Sequence, residues 1–151
     1  MAHVSWQCKP FADLTSAELY AILRLRNEVF VVEQNCVFQD ADNMDQHCYH
    51  FMGWIGNGLA AYTRLVPKGA AYDYPSIGRV VTSPKYRGRS VGKELMQQSI
   101  AKCYELFGMQ TIKIGAQLYL KKFYERLGFV QSGEVYDEDG IDHIHMLRMA
   151  G

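Results

Sequence analysis

The stretch that most constrains the fold runs from Ser76 to Phe107. It opens with the short apolar run SIGRVV, passes through TSPKYRGRSVGKEL and continues into LMQQSIAKCYELF. From Val91 onward, Leu95, Ser99, Cys103 and Phe107 recur at helical spacing and share one helix face. A second short apolar run, TIKIGA, follows. Strand, helix and strand in this order require a crossover, which joins parallel strands and is right-handed.

The remaining segments place further layers around that unit. In TSAELYAILRLRNEVF, Thr15 and Glu18 form a capping box, and Leu19, Ile22, Leu23 and Arg26 then follow at helical spacing. VVEQNCVFQDADNMDQHC loses the periodicity, gains acids and amides, and reads as a long loop or broken helix. YHFMGWIGNGLAAYTRLV is two apolar runs around Gly56-Asn57-Gly58, a hairpin signature, and PKGAAYDYP is a loop. QLYLKKFYERLGF reads as a helix closed by Gly128. FVQSGEVY and DHIHMLRM read as strands on either side of the turn DEDG. The order predicts an α/β (α+β) fold, a mixed central sheet flanked by helices, in one domain spanning 1–151.

Charge narrows the function classes. Lys plus Arg number 16 and Asp plus Glu number 16, so the chain is formally neutral, unlike a protein that coats nucleic acid. The opening MAHVSWQCKPF lacks a basic leader followed by an apolar core, and no apolar run approaches the length of a membrane span. Cys8, Cys36, Cys48 and Cys103 form no CxxC pair and do not read as a disulfide framework. Cys36, His47, Cys48 and His50 match no zinc spacing. These features predict a cytoplasmic protein with free thiols, no metal, and neither nucleic acid nor membrane as partner.

Against that neutral background, the turn after SIGRVV concentrates Lys85, Arg87, Arg89 and Lys93 among Gly88, Ser90 and Gly92. A helix N-terminus presents unpaired N–H groups and a partial positive charge. Small residues let an anion approach that backbone, and arginines add forked donors. Arg87, Gly88, Arg89, Ser90, Val91, Gly92 and Lys93 therefore suit a phosphate. The bland alternative is a tight glycine turn with solvated cations. The spacing is one residue too short for G-x-x-x-x-G-K-[ST], and Glu94 replaces the hydroxyl that would hold magnesium. The G-x-G-x-x-G dinucleotide fingerprint is absent too.

The same residues resemble the acyl-CoA loop of the GNAT N-acyltransferase superfamily, Arg/Gln-x-x-Gly-x-Gly/Ala. Arg87 fills its first position and Gly92 its last, and Ser90 stands where Gly is usual. A second signature, an amide residue before an apolar helix ending F-Y-x-x-x-G-F, is matched by Gln117 and LKKFYERLGF, with Gln in place of the commoner Asn. LRNEVFVVEQNCVFQDAD, IGRVVTSPKYRG, GAQLYLKKFYERLGF and EDGIDHIHM together resemble the ElaA-type branch, over about 15 to 149. The resemblance implies the GNAT fold, with a mixed, mostly antiparallel sheet. It implies acetyl-CoA or a related acyl-CoA as donor and a primary amine as acceptor, in direct attack within a ternary complex. It also places the donor's pantetheine along Val80, Val81 and Thr82, and a thiolate-protonating tyrosine at Tyr124.

Acyl transfer to an amine needs a proton taken from nitrogen, donors for an oxyanion and an acid for the leaving sulfur. On helical spacing alone, Leu120, Tyr124 and Leu127 also read as core packing. The base is open among Glu33, Asp40, Asp42 and His143. Glu33 follows the apolar VFVV, where desolvation would raise its pKa, and is preferred; His143 comes next. Alternation puts His143 and His145 on one face. DADNMD carries three acids, an attractor for a cationic amine or a solvated loop. A polyamine, an amino acid, an antibiotic and a protein lysine all remain open as acceptors. The rival reading is a non-catalytic acyl-CoA-binding or sensing module. Sheet edges in this fold often pair between copies, so a homodimer is one expected state.

Overall fold

The computed structural model describes residues 3–150. The chain runs β1 (Ser5–Pro10), α1 (Ser16–Arg26), β2 (Tyr49–Ile55), β3 (Gly58–Val66), β4 (Ser76–Thr82), α2 (Val91–Phe107), β5 (Ile112–Gln117), α3 (Lys121–Glu125), β6 (Val130–Gln131), β7 (Tyr136–Glu138) and β8 (Ile141–Arg148). The strands form one sheet in the order β1-β2-β3-β4-β5-β8-β6, with β7 also on β8. Every pairing is antiparallel except β4 with β5, the two strands joined through α2. The sheet is thus mixed and mostly antiparallel, flanked by helices.

Alternation along β2 and β3 explains the layers, because successive side chains point to opposite faces. Phe51, Ala61 and Leu65 pack in one cluster with Leu95, Met96, Ile100 and Cys103 of α2. Their neighbours Met52 and Tyr62 pack in the other with Ile22, Leu25 and Val29 from α1 and its continuation. The two long helices therefore cover opposite faces. Ser99, a hydroxyl on the apolar face of α2, is fully buried and hydrogen-bonded to Thr63 of β3 at 2.8 Å.

The capping box at α1 forms as its sequence predicts: the Glu18 amide donates to Thr15 Oγ1 and the Thr15 amide to Glu18 Oε1. Beyond Arg26 the helix widens into a π-helix over Asn27–Glu33, closed by i→i−5 bonds from Gln34 to Val29 and from Cys36 to Val31. This is the physical form of the broken helix. The hairpin turns at Gly56-Asn57, with Ile55 opposite Gly58.

Three readings need correction. β1 was not legible as a strand; it pairs along β2 from Ser5–Trp54 to Pro10–Tyr49. The helix over 117–129 is shorter: a 3₁₀ turn at Leu118–Leu120 precedes α3, and Gly128, at φ +95°, ends the segment. FVQSGEVY is two short strands, β6 and β7, parted by 132–135. No helix among the described residues is long and apolar enough to cross a membrane.

Candidate active site

β4 and β5 pair only at Ser76 and Lys113. Beyond that point the two strands part, although each keeps its other neighbour, β3 or β8. A cleft of about 480 Å³ opens between them. Its walls include Ile77 to Thr82 of β4, Ile114 to Gln117 of β5, Tyr124 of α3, Glu33 and Gln34 after α1, and His143 of β8. Parted strands leave an unpaired backbone edge, which suits an extended ligand able to hydrogen-bond like a strand.

A bulge in β4 shapes the wall. Tyr62 faces Val81 and Arg64 faces Gly78, so Arg79 and Val80 together oppose Thr63. Arg79 takes φ +50°, a left-handed conformation costly for a residue with a Cβ. Its guanidinium is anchored: Nε donates to Asp40 Oδ1 at 2.8 Å and Nη2 to the Asp40 carbonyl at 3.1 Å. Asp40 also accepts from Nε of the fully buried Arg26 at 2.7 Å. Asp45 accepts from Arg26 and Arg64, and Asp42 takes Arg64 through two bonds of 2.9 Å. His50 donates through Nε2 to the Asp45 carbonyl and accepts at Nδ1 from the Tyr62 hydroxyl.

The acids of DADNMD are therefore neither a solvated loop nor an open attractor for amines. They are locked against three arginines, and Asp40 and Asp42 are occupied as bases. For Asp42, burial alone would raise the pKa, but the bonds and charge of Arg64 outweigh it and hold the carboxyl at about 2. A charged residue at the helical spacing of Ile22, with acids downstream, was the signal for this cluster.

Glu33 departs from its expectation. It is 41 % exposed at the side chain and grips Arg87 through two bonds of 2.7 and 2.8 Å. The Arg87 guanidinium, acting first through these bonds, holds its carboxyl below the usual carboxylate range. The apolar VFVV does not desolvate it, because the π-helix turns Glu33 toward the loop rather than the core.

His143 is only 7 % exposed and reaches the cleft. Its Nδ1 donates to the Ile141 carbonyl at 2.7 Å, which leaves Nε2 as the free nitrogen. His143 and His145 both lie against Tyr136, consistent with one face. Tyr124 is 4 % exposed, and burial pushes its phenol pKa well up, so it holds its proton at neutral pH. It packs edge-on to Phe123 and Phe129, and also lines the cleft. Packing and access to the cleft coexist in one residue.

The cationic turn lies at one end. Val80, Val81, Thr82, Arg87, Gly92 and Gln117 line the cleft; Gly88, Arg89, Ser90, Val91 and Lys93 are in the turn and first helical turn outside it. Ser90 precedes α2 at φ +58° and makes no side-chain cap. The first amides of α2 thus lack a side-chain partner from Ser90, which fits an external anion. Gln117 exchanges amide hydrogen bonds with Gln34 at 3.2 and 3.4 Å across the cleft. Gln34, Cys36, Phe38, Arg79 and Glu138 also line it, and no motif in the sequence marks them. Cys36, His47, Cys48 and His50 form no metal-binding group among the described residues.

Residues 25–149 match the family model described as an acetyltransferase (GNAT) domain. The chain is 40% identical to protein ElaA of Escherichia coli strain K12 over 147 residues, 96% of each chain. The crystal structure of an acyl-CoA N-acyltransferase from Pseudomonas aeruginosa matches with a TM-score of 0.93 at 42% identity, covering 97% of this chain and 99% of that one. That of Escherichia coli ElaA matches with a TM-score of 0.91 at 39% identity, with the same coverage. A cleft between parted parallel strands, ended by a cationic helix start, is thus found in a chain that belongs to the GNAT acyltransferase family, on its ElaA-like branch.

Proposed function

We propose that the protein transfers an acetyl group from acetyl-CoA to a primary amine by direct attack in a ternary complex. One observation supports this above others. The unpaired edge of β4, the Tyr124 phenol, the free nitrogen of His143 and the cationic turn all border the same cleft. The described residues suit an acyl-CoA. Arg87 and the first amides of α2 take the pyrophosphate, and Val80, Val81 and Thr82 pair with the pantetheine as a strand would. A backbone N–H of this segment donates to the thioester oxygen.

The amine nitrogen forms a bond to the thioester carbon, and the bond from carbon to sulfur breaks. His143 Nε2 takes the proton from nitrogen. Tyr124, protonated at neutral pH, gives its proton to the departing sulfur and recovers one through the solvent of the cleft. Glu33 serves differently from the base proposed on sequence grounds: it holds Arg87 beside the cleft until a phosphate competes for it. That ion pair is exposed, so it is worth about 0–1 kcal/mol and yields readily to a charge-assisted phosphate contact.

The test is release of the CoA thiol from acetyl-CoA in the presence of a panel of amines. Turnover is expected in the wild type, and Tyr124→Phe should lower kcat by about 10²-fold with acetyl-CoA affinity nearly intact. Tight binding without release for any amine would leave a non-catalytic acyl-CoA-binding module. Full activity of Tyr124→Phe would return that residue to packing alone.

A further inference from the structure

The acceptor's chemical class can be read from the charges that border the cleft, granted the acyltransfer reading above. The cleft's lining carries five charged side chains, Glu33, Arg79, Arg87, Glu138 and Asp139, together with the imidazole of His143. Glu33 sits with Arg87 at the end of the cleft assigned above to the pyrophosphate. Arg79 is held by Asp40 and Asp42. Glu138 and Asp139 remain, consecutive residues at the end of β7, and among the described residues neither has a lysine or arginine partner. Asp139 sits at φ +53°, and its carbonyl accepts from the Cys36 thiol at 3.2 Å, which ties this turn to the segment after α1.

His143 makes this more than a patch of acids. It is 7 % exposed, its Nδ1 is committed to the Ile141 carbonyl, and Nε2 has no hydrogen bond among the described residues. Glu138 Oε2 lies 3.4 Å from that Nε2. In the neutral ring both atoms are acceptors, and two acceptors facing each other leave a place for a shared donor. An alkyl ammonium is such a donor, since near neutral pH an amine of pKa about 10.4 arrives protonated.

We propose that Glu138 and His143 form the acceptor-nitrogen site, and that with Asp139 they select amines bearing a second cationic group and no carboxylate. Glu138 attracts and orients the reacting ammonium. His143 Nε2 removes one proton from it and passes it to solvent, which frees the lone pair for attack; after attack Nε2 takes the second proton from the nitrogen, while Tyr124 supplies the one that goes to sulfur. Asp139 receives the distal ammonium of a diamine, whereas a carboxylate at that position meets two like charges.

The experiment compares 1,4-diaminobutane, n-butylamine and 4-aminobutanoate, which match in chain length and differ in distal charge. CoA thiol release is followed at saturating acetyl-CoA. The diamine is expected to exceed butylamine in kcat/KM by about tenfold or more, the size of one charge-assisted contact, with aminobutanoate the poorest. Asp139→Asn should bring kcat/KM for the diamine down to that for butylamine. Glu138→Gln should raise KM for both amines about tenfold while acetyl-CoA affinity, by calorimetry, stays the same. Both positions are exposed, so thermal melts should match the wild type. Equal rates for the diamine and butylamine, or preference for aminobutanoate, would overturn the acceptor assignment and leave acyl transfer standing. Absence of release with these and every other amine, despite acetyl-CoA binding, would overturn both.

Discussion

Gly92 is where the anion reading meets its sharpest demand. It is the second residue of α2, and a Cβ built there meets only Thr82 Cγ2 at 3.8 Å, an ordinary contact. A side chain is therefore accommodated by the fold. Gly92→Glu should keep or raise stability, because a helical glycine costs about 0.5–1 kcal/mol and an acid in the first turn gains about 0.3–1 kcal/mol. The same carboxylate would occupy the anion's place and repel it. Acetyl-CoA affinity by calorimetry should fall by at least about 100-fold, roughly two tenfold steps of 1.4 kcal/mol each, while the melting temperature holds or rises. Unchanged affinity in the folded variant would move the pyrophosphate elsewhere. Ser90 shows why spacing alone misleads at this scale: small enough for the loop, it takes φ +58° and does not cap. A hydroxyl's direction follows from backbone dihedrals set by the whole turn.

Among the elements, β4 carries most of the site. Its bulge turns one wall of the cleft, and the cost of a left-handed Arg79 is offset by anchoring to Asp40, itself held by Arg26. Breaking a buried ion pair by removing one partner is strongly destabilising, since the remaining charge is left in low dielectric. Asp40→Asn keeps the shape but removes the charge shared by Arg26 and Arg79. It should cost about 3 kcal/mol, read as a lower urea midpoint at unchanged m. A loss under about 1 kcal/mol would mean that Asp45 alone satisfies Arg26. The π-helix after α1 works alongside. Its wider turns bring Val29, Phe30, Glu33 and Gln34 to the cleft, where a continued α-helix would have spaced these side chains differently.

Across the whole molecule, the buried charge cluster ties stability to pH. Burial lowers the pKa of His50 below its ordinary 6.5, so the unfolded chain binds a proton first as pH falls. That contribution is present above about 6.5 and declines below it. Asp42, held at about 2 against an ordinary 3.8, contributes above 3.8 and is lost between there and about 2, and Asp45 is shifted the same way. The urea midpoint should therefore be level near neutrality, fall gently below 6.5 and fall steeply below about 4. A midpoint independent of pH from 7 to 3 would contradict the cluster. The sequence by itself determined the elements whose signals are local: the Thr15–Glu18 box, the Gly56-Asn57 turn, the SIGRVVT strand, the face of α2 and the cationic turn before it. Each depends on spacing or on dihedral preference over a few residues, so it is written in neighbouring positions. Only the tertiary structure decided what Glu33, Asp40, Asp42 and His143 face. Burial and pairing join residues far apart in the chain, as Arg26 to Asp40 and Glu33 to Arg87 do. A carboxylate's role follows from its partners, and those become neighbours only when α1, its π-helix and β4 close around the cleft.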